Sequence, residues 1–285
     1  MDRIVELHEV RHVHRVCLRD FGFPEIHAYW CEWAHPHITD DRSLTHLVEV
    51  HARIWNWSKF IAPGATCIDI GAHSGDTVVP MAICAYGGAE RKGTILAIEP
   101  NPKVAPVLEL NLLLNANLAE LRAVNKAVTE QPMAEVEIAD HANWDCNGGI
   151  IDGSFSNALQ DRLQGLARST IKVPGAPLAD ICREFLSPEE LARLSFIKTD
   201  CEGYDKQILR SSFELIDRYK PTLFVEWFNY FSPEDTSDLF EVIEQIGYAA
   251  YHPMTGAPQR PDEKIDDLVL LPRQVDARDR FRLDP

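Results

Sequence analysis

The chain has 285 residues, 45% of them hydrophobic and 25% charged, with a formal net charge of −16. That length suffices for one elaborated α/β domain or one and a half domains, and the acidity argues against a nucleic-acid backbone as main partner, since phosphate binding needs clustered Lys and Arg. No apolar run reaches the roughly 20 residues of a membrane span, and the start, MDRIVELHEV, lacks the apolar core of a secretory signal, so a cytoplasmic protein is expected.

Residues 1–40 read as irregular, with a β-like piece at Val10–Leu18. Eight histidines fall within the first 51 residues; surface positions on strands and loops are one reading and a metal cluster the other, although only His8 and His12 have a ligand-like spacing, on strand-like flanks. The seven cysteines are scattered, without a C-x-x-C pair, and read as reduced thiols. Ser43 looks like the N-cap of a helix running to Phe60, with Leu44, Leu47, Val48, His51, Ile54 and Trp55 on one stripe. Residues 1–60 are therefore expected to be an N-terminal extension or cap, and residues 61–285 the main domain.

Strands and helices then alternate. Strands are expected at Thr66–Ile70, Thr94–Ile98 and Leu121–Val128, with Glu135–Ala139 pairing beside the last as a hairpin. Helices are expected at Thr77–Tyr86 and Val104–Asn115; Pro80 falls in a first turn, where its missing N–H costs no helical bond. Residues 140–170 are polar and glycine-bearing and read as a long loop. Helices at Leu178–Phe185 and from Ser187 follow, the second with a capping-box Glu190. The order closes with a strand at Ser195–Thr199, a helix at Asp205–Tyr219, a strand at Thr222–Trp227, a helix from Ser232–Pro233 to near Gly247, and a hairpin-like pair at Tyr248–His252 and Asp267–Leu271. Such alternation predicts an α/β fold, a mostly parallel sheet with helices on both faces that binds ligands at the carboxyl ends of its strands.

The ends of those strands carry the chemistry. The first runs into Asp69-Ile70-Gly71-Ala72-His73-Ser74-Gly75-Asp76-Thr77, where Gly71 and Gly75 let the backbone turn sharply and approach a ligand. The spacing is G-x-x-x-G, neither the G-x-G-x-x-G of dinucleotide folds nor a P-loop, and the flanking acids suit a cation better than a diphosphate. Glu99, in Glu99-Pro100-Asn101-Pro102, stands where such folds hold ribose hydroxyls, and one carboxylate accepts from both of them. Asn125 can meet an adenine edge. Together these point to a nucleoside bearing positive charge, S-adenosylmethionine.

IDIGAHSGDT, AIEPNP, VNKAV, FIKTDCEGYD and KPTLFVEW, over roughly residues 60–228, resemble the FkbM family of S-adenosylmethionine-dependent methyltransferases. The resemblance implies the class I methyltransferase Rossmann-like fold, with seven strands and the last antiparallel. It also implies O-methylation of sugars, glycoconjugates or natural products. By that likeness Asp69, Gly71, His73, Gly75, Asp76, Glu99, Asn101 and Asn125 line the cofactor, with Ser74 and Thr77 in the same turn. Two positions depart from the family pattern: His73-Ser74 replaces an asparagine and an apolar residue, and Asp205 replaces a glutamate.

At the substrate end, an alcohol acceptor needs a base, or a metal that lowers its pKa. Asp200 as general base, Asp200 with Glu202 holding Mg²⁺, and the pair as a structural lock with Glu202 capping amides at Asp205 all remain open. An extended chain would put Asp200 and Glu202 on one side. Lys198 is expected to point away and snorkel, unless Glu226 pairs with it; Glu226 could also orient the acceptor. His141 is a spare base, and Trp144, Asp145 and Asn147 form either a lid over a sugar or a plain loop tip. The expected partner is a small-molecule hydroxyl acceptor, with no nucleic acid and no membrane span; a homodimer is left open. An NAD-dependent oxidoreductase and a non-catalytic methyltransferase-like binding subunit are the competing readings.

Overall fold

The computed structural model describes residues 10–17, 27–33, 53–54, 56–88, 91–140, 150 and 169–281. The chain divides into two compact units, Met1–Asn125 and Lys126–Pro285. The main sheet has seven strands, mostly parallel.

In the first unit, β1 (Val10–Cys17) and β2 (His27–Trp33) form an antiparallel pair. The expected strand near residue 10 is β1, while β2 was not anticipated, because HAYWCEW lacks clean alternation. Residues 53, 54, 56 and 57 are helical; the earlier part of the expected helix, with its Ser43 cap, lies outside the described residues. The strands β3 (Thr66–Ile70), β4 (Gly93–Ile98) and β5 (Ala119–Val124) run parallel, β4 between the other two. β3 and β4 are buried at every position, covered on both faces, which explains their mostly apolar composition, with Asp69 as the buried charged exception. Helix α1 (Val78–Cys84) is buried along its whole length, with Pro80 in its first turn, and α2 (Ala105–Leu114) follows β4. Asn115, fully buried after α2, clamps β2 by accepting from the Tyr29 amide at 2.7 Å and donating to the Tyr29 carbonyl at 2.5 Å.

The second unit opens with a small sheet of β6 (Ala127–Val128), β7 (Met133–Asp140) and β8 (Ser169–Ala176), in the order β6-β8-β7. Two expectations change here. The single strand Leu121–Val128 is two strands in different sheets, divided at Asn125-Lys126, and β7 pairs antiparallel with β8. Most of the expected loop at 140–170 lies outside the described residues, and its last two residues already belong to β8. Helix α3 (Leu178–Phe185) is as expected, and α4 (Pro188–Leu191) carries the complete Ser187–Glu190 capping box.

Next come β9 (Leu194–Thr199), α5 (Asp205–Ser211), α6 (Phe213–Tyr219), β10 (Thr222–Glu226), α7 (Pro233–Gln245), β11 (Tyr248–Tyr251), β12 (Asp267–Pro272) and α8 (Ala277–Phe281). The expected helix 205–219 breaks at Ser212, whose φ of −96° and ψ of 8° end α5 and open α6. β9 and β10 are parallel, and β12 is antiparallel to both β10 and β11. The last strand in the chain is thus the reversed one. Register sets Val225 opposite Thr199, so the segments beginning at Asp200 and Glu226 leave the sheet side by side. Among the described residues, no helix is long and apolar enough to cross a membrane.

Candidate active site

The turn after β3 is tied to the end of β4. The amides of Gly71 and Ala72 both donate to the Ile98 carbonyl, at 3.0 and 3.1 Å. Glu99, buried beyond Ile98, accepts from the His73 amide through one carboxylate oxygen at 2.9 Å and from the Asn101 amide through the other at 2.7 Å. One carboxylate thereby sets the position of two loops. Gly71, His73 and Gly75 all have positive φ, at 78°, 46° and 95°. At Gly75 an added Cβ would also meet Leu108 of α2 at 3.1 Å. The Asn111 amide group of α2 donates to the Ser74 carbonyl at 2.7 Å and holds the turn from behind.

The remaining first-unit candidates have local partners. Asp69 is fully buried and accepts from the Thr77 hydroxyl. Ser74 is buried, its hydroxyl beside His73 Nδ1 at 3.3 Å. Asp76 is held by Arg53 at 2.8 Å, a contact between residues 23 apart that the sequence does not signal. Asn101 accepts from the Lys103 amide at 3.0 Å and so leads into α2. The exposed Asn125 donates its amide hydrogens to the Glu99 and Pro100 carbonyls, at 2.8 and 3.1 Å. It fastens the loop that carries Glu99. An adenine contact would fall to its side-chain oxygen.

The second unit gathers its own acids beyond β9 and β10. The expected geometry changes in three respects. Lys198 is buried and forms an ion pair with Asp200 at 3.3 Å, so it does not snorkel to the surface. Glu202 has φ 53° and Gly203 φ 96°, so the chain curls after Asp200 where an extended course was expected. The carboxylate that ties the amides of this turn is Asp205. It accepts from the Thr199 hydroxyl at 2.6 Å and from the amides of Cys201 and Gly203 at 3.3 Å each. The signal was present in the sequence, an acid in the first turn of the helix that follows Gly203-Tyr204.

Glu226, at the end of β10, accepts from the Glu202 amide at 3.1 Å. Burial pushes its carboxyl well above the usual carboxylate range, and the charges of Asp200, Asp205, Glu202 and Asp267 push it the same way. Burial likewise raises Asp205 to about 6, against the Thr199 hydrogen bond and aided by the nearby Asp200 charge. In both carboxyls burial favours the protonated form. Gly203 faces an aromatic wall: a Cβ there would meet Phe228 at 2.9 Å and Phe231 at 3.1 Å. Among the described residues no three His, Cys, Asp or Glu side chains gather as a metal site, and the Mg²⁺ reading at Asp200 and Glu202 gains no support. His141, Trp144, Asp145 and Asn147 lie outside the described residues.

A G-x-x-x-G turn, a buried acid closing the next strand, and seven strands with the last reversed define a class I methyltransferase-like α/β fold. The family model described as "Methyltransferase FkbM domain" matches residues 69–250, and the chain belongs to the FkbM methyltransferase family. Among solved structures it is similar to a methyltransferase FkbM from Methylobacillus flagellatus KT, at 15% identity and a TM-score of 0.45. That likeness covers 83% of this chain and 56% of the other, so the chain spans little more than half of that relative. It is also similar to cofactor-bound Rv0187 from MTB, at 11% identity and a TM-score of 0.41, over 83% of this chain and 92% of that one. No curated protein matches by sequence.

Proposed function

We propose that the chain is an S-adenosylmethionine-dependent O-methyltransferase acting on a hydroxyl of a small molecule, a sugar, glycoconjugate or natural product. The observation that carries this reading is the buried Glu99 carboxylate, built into the glycine turn of an FkbM-family domain. The two Glu99 oxygens accept the His73 and Asn101 amides, and a carboxylate is an acceptor-only group with several lone-pair sites, which suits two vicinal ribose hydroxyls. The positive-φ glycines at 71 and 75 fit the close approach of a nucleoside. When bound, the cofactor supplies a methyl group already activated on a sulfonium.

The protein's remaining work is alignment and removal of the acceptor's proton. Glu226, which ends β10 and accepts from the Glu202 amide beside Asp200, is the group to receive that proton. Asp200, held by Lys198, orients the hydroxyl, and Asp205 fixes the turn on which Asp200 and Glu202 stand.

The test is incubation with methyl-labelled S-adenosylmethionine and a panel of sugar, polyol and phenolic acceptors. A labelled methyl ether supports the reading. Binding of S-adenosylhomocysteine with no acceptor ever methylated would favour the non-catalytic subunit, and binding of NAD in its place would favour the oxidoreductase.

A further inference from the structure

Arg53 lies outside the family-matched segment, which begins at residue 69, yet it reaches the cofactor turn. Its Nη1 donates to the Asp76 carboxylate at 2.8 Å and to the Asp76 carbonyl at 3.4 Å. The guanidinium is aimed from a fixed base: the adjacent Ile54 is 1% exposed, and its carbonyl accepts from the Cys84 thiol of α1 at 3.5 Å. Asp76 directly follows Gly75 in the turn. A carboxylate in that turn favours a sulfonium cation over the neutral thioether left after methyl transfer, and a guanidinium on the carboxylate cancels much of that preference.

We propose that Arg53 is a positioning residue of the cofactor turn that, by neutralising Asp76, narrows the difference in affinity between the sulfonium nucleoside and its thioether product. This rests on the proposed cofactor. It makes the segment preceding the family domain a determinant of product inhibition. Because both side chains are partly exposed, at 31% and 22%, the effect belongs to the modest range of such pairs.

Calorimetric titration of S-adenosylmethionine and S-adenosylhomocysteine into the full chain tests it. Arg53→Gln should raise the ratio of sulfonium to thioether affinity about two- to fivefold, the range of a partly exposed ion pair. Asp76→Asn should lower that ratio, and the double variant should return it to the wild-type value. The shifts should shrink at about 0.5 M salt, as a charge effect must. Arg53→Lys should keep the wild-type ratio and decides the case, with Asp76→Asn, if Arg53→Gln does not fold. Equal weakening of both ligands, or ratios that stay fixed, would reduce Arg53 to a structural tie and overturn the proposal alone. A wild-type chain that binds neither ligand overturns the proposed function together with it.

Discussion

The Glu99 carboxylate orders the His73 and Asn101 amides, so its loss acts on the protein and on the ligand together. Glu99→Ala should weaken S-adenosylhomocysteine binding by about tenfold or more, the worth of hydrogen bonds to a charged acceptor, and should also lower the melting temperature. Calorimetry that finds unchanged affinity would refute the ribose role. Asp205 gives a prediction in pH. Its folded pKa of about 6 stands above the ordinary 3.8, so between those values the folded chain holds more protons at this site than the unfolded chain. The stabilisation linked to this group is therefore present below the window and lost as pH rises through it. In denaturant titrations at about pH 4 and about pH 7, the stability of wild type relative to Asp205→Asn should fall with pH; a constant or growing difference would contradict the assignment. Glu99 and the two turn glycines were legible because their residue types fit only a few roles at a strand end. The Arg53–Asp76 and Lys198–Asp200 pairs were not, since side-chain partners depend on packing that spacing does not encode.

The turn between β9 and α5 is where local backbone rules and function meet. Gly203 combines φ 96° with aromatic rings close to the absent Cβ, so Gly203→Ala should cost about 1–3 kcal/mol. A shift in the denaturation midpoint measures it, and an unshifted midpoint would mean that the turn relaxes freely. The strands β3, β4, β9 and β10 could be read from sequence because burial on both faces leaves short, mostly apolar segments, interrupted by few polar residues such as Asp69 and Lys198. β8 could not: STIKVPGA contains proline and glycine, and its strand character comes from pairing with β7 and β6. The same limit explains β5 and β6, which read as one run yet join different sheets. The break at Ser212 was missed because the apolar spacing continues across it, and periodicity alone does not mark an interruption.

The family was legible in the sequence because its motifs fall at strand ends, where each short segment must satisfy both the sheet and a ligand. The acceptor is a different matter, since His141, Trp144, Asp145 and Asn147, the residues expected near it, lie outside the described residues. Cofactor recognition is therefore the claim on which the account stands, and a crystal structure of the chain with S-adenosylhomocysteine tests it most directly. Both ribose hydroxyls should lie within hydrogen-bond distance of the Glu99 carboxylate, with the nucleoside against the turn from Gly71 to Gly75. A nucleoside bound away from Glu99, or no bound nucleoside at saturating concentration, would contradict it.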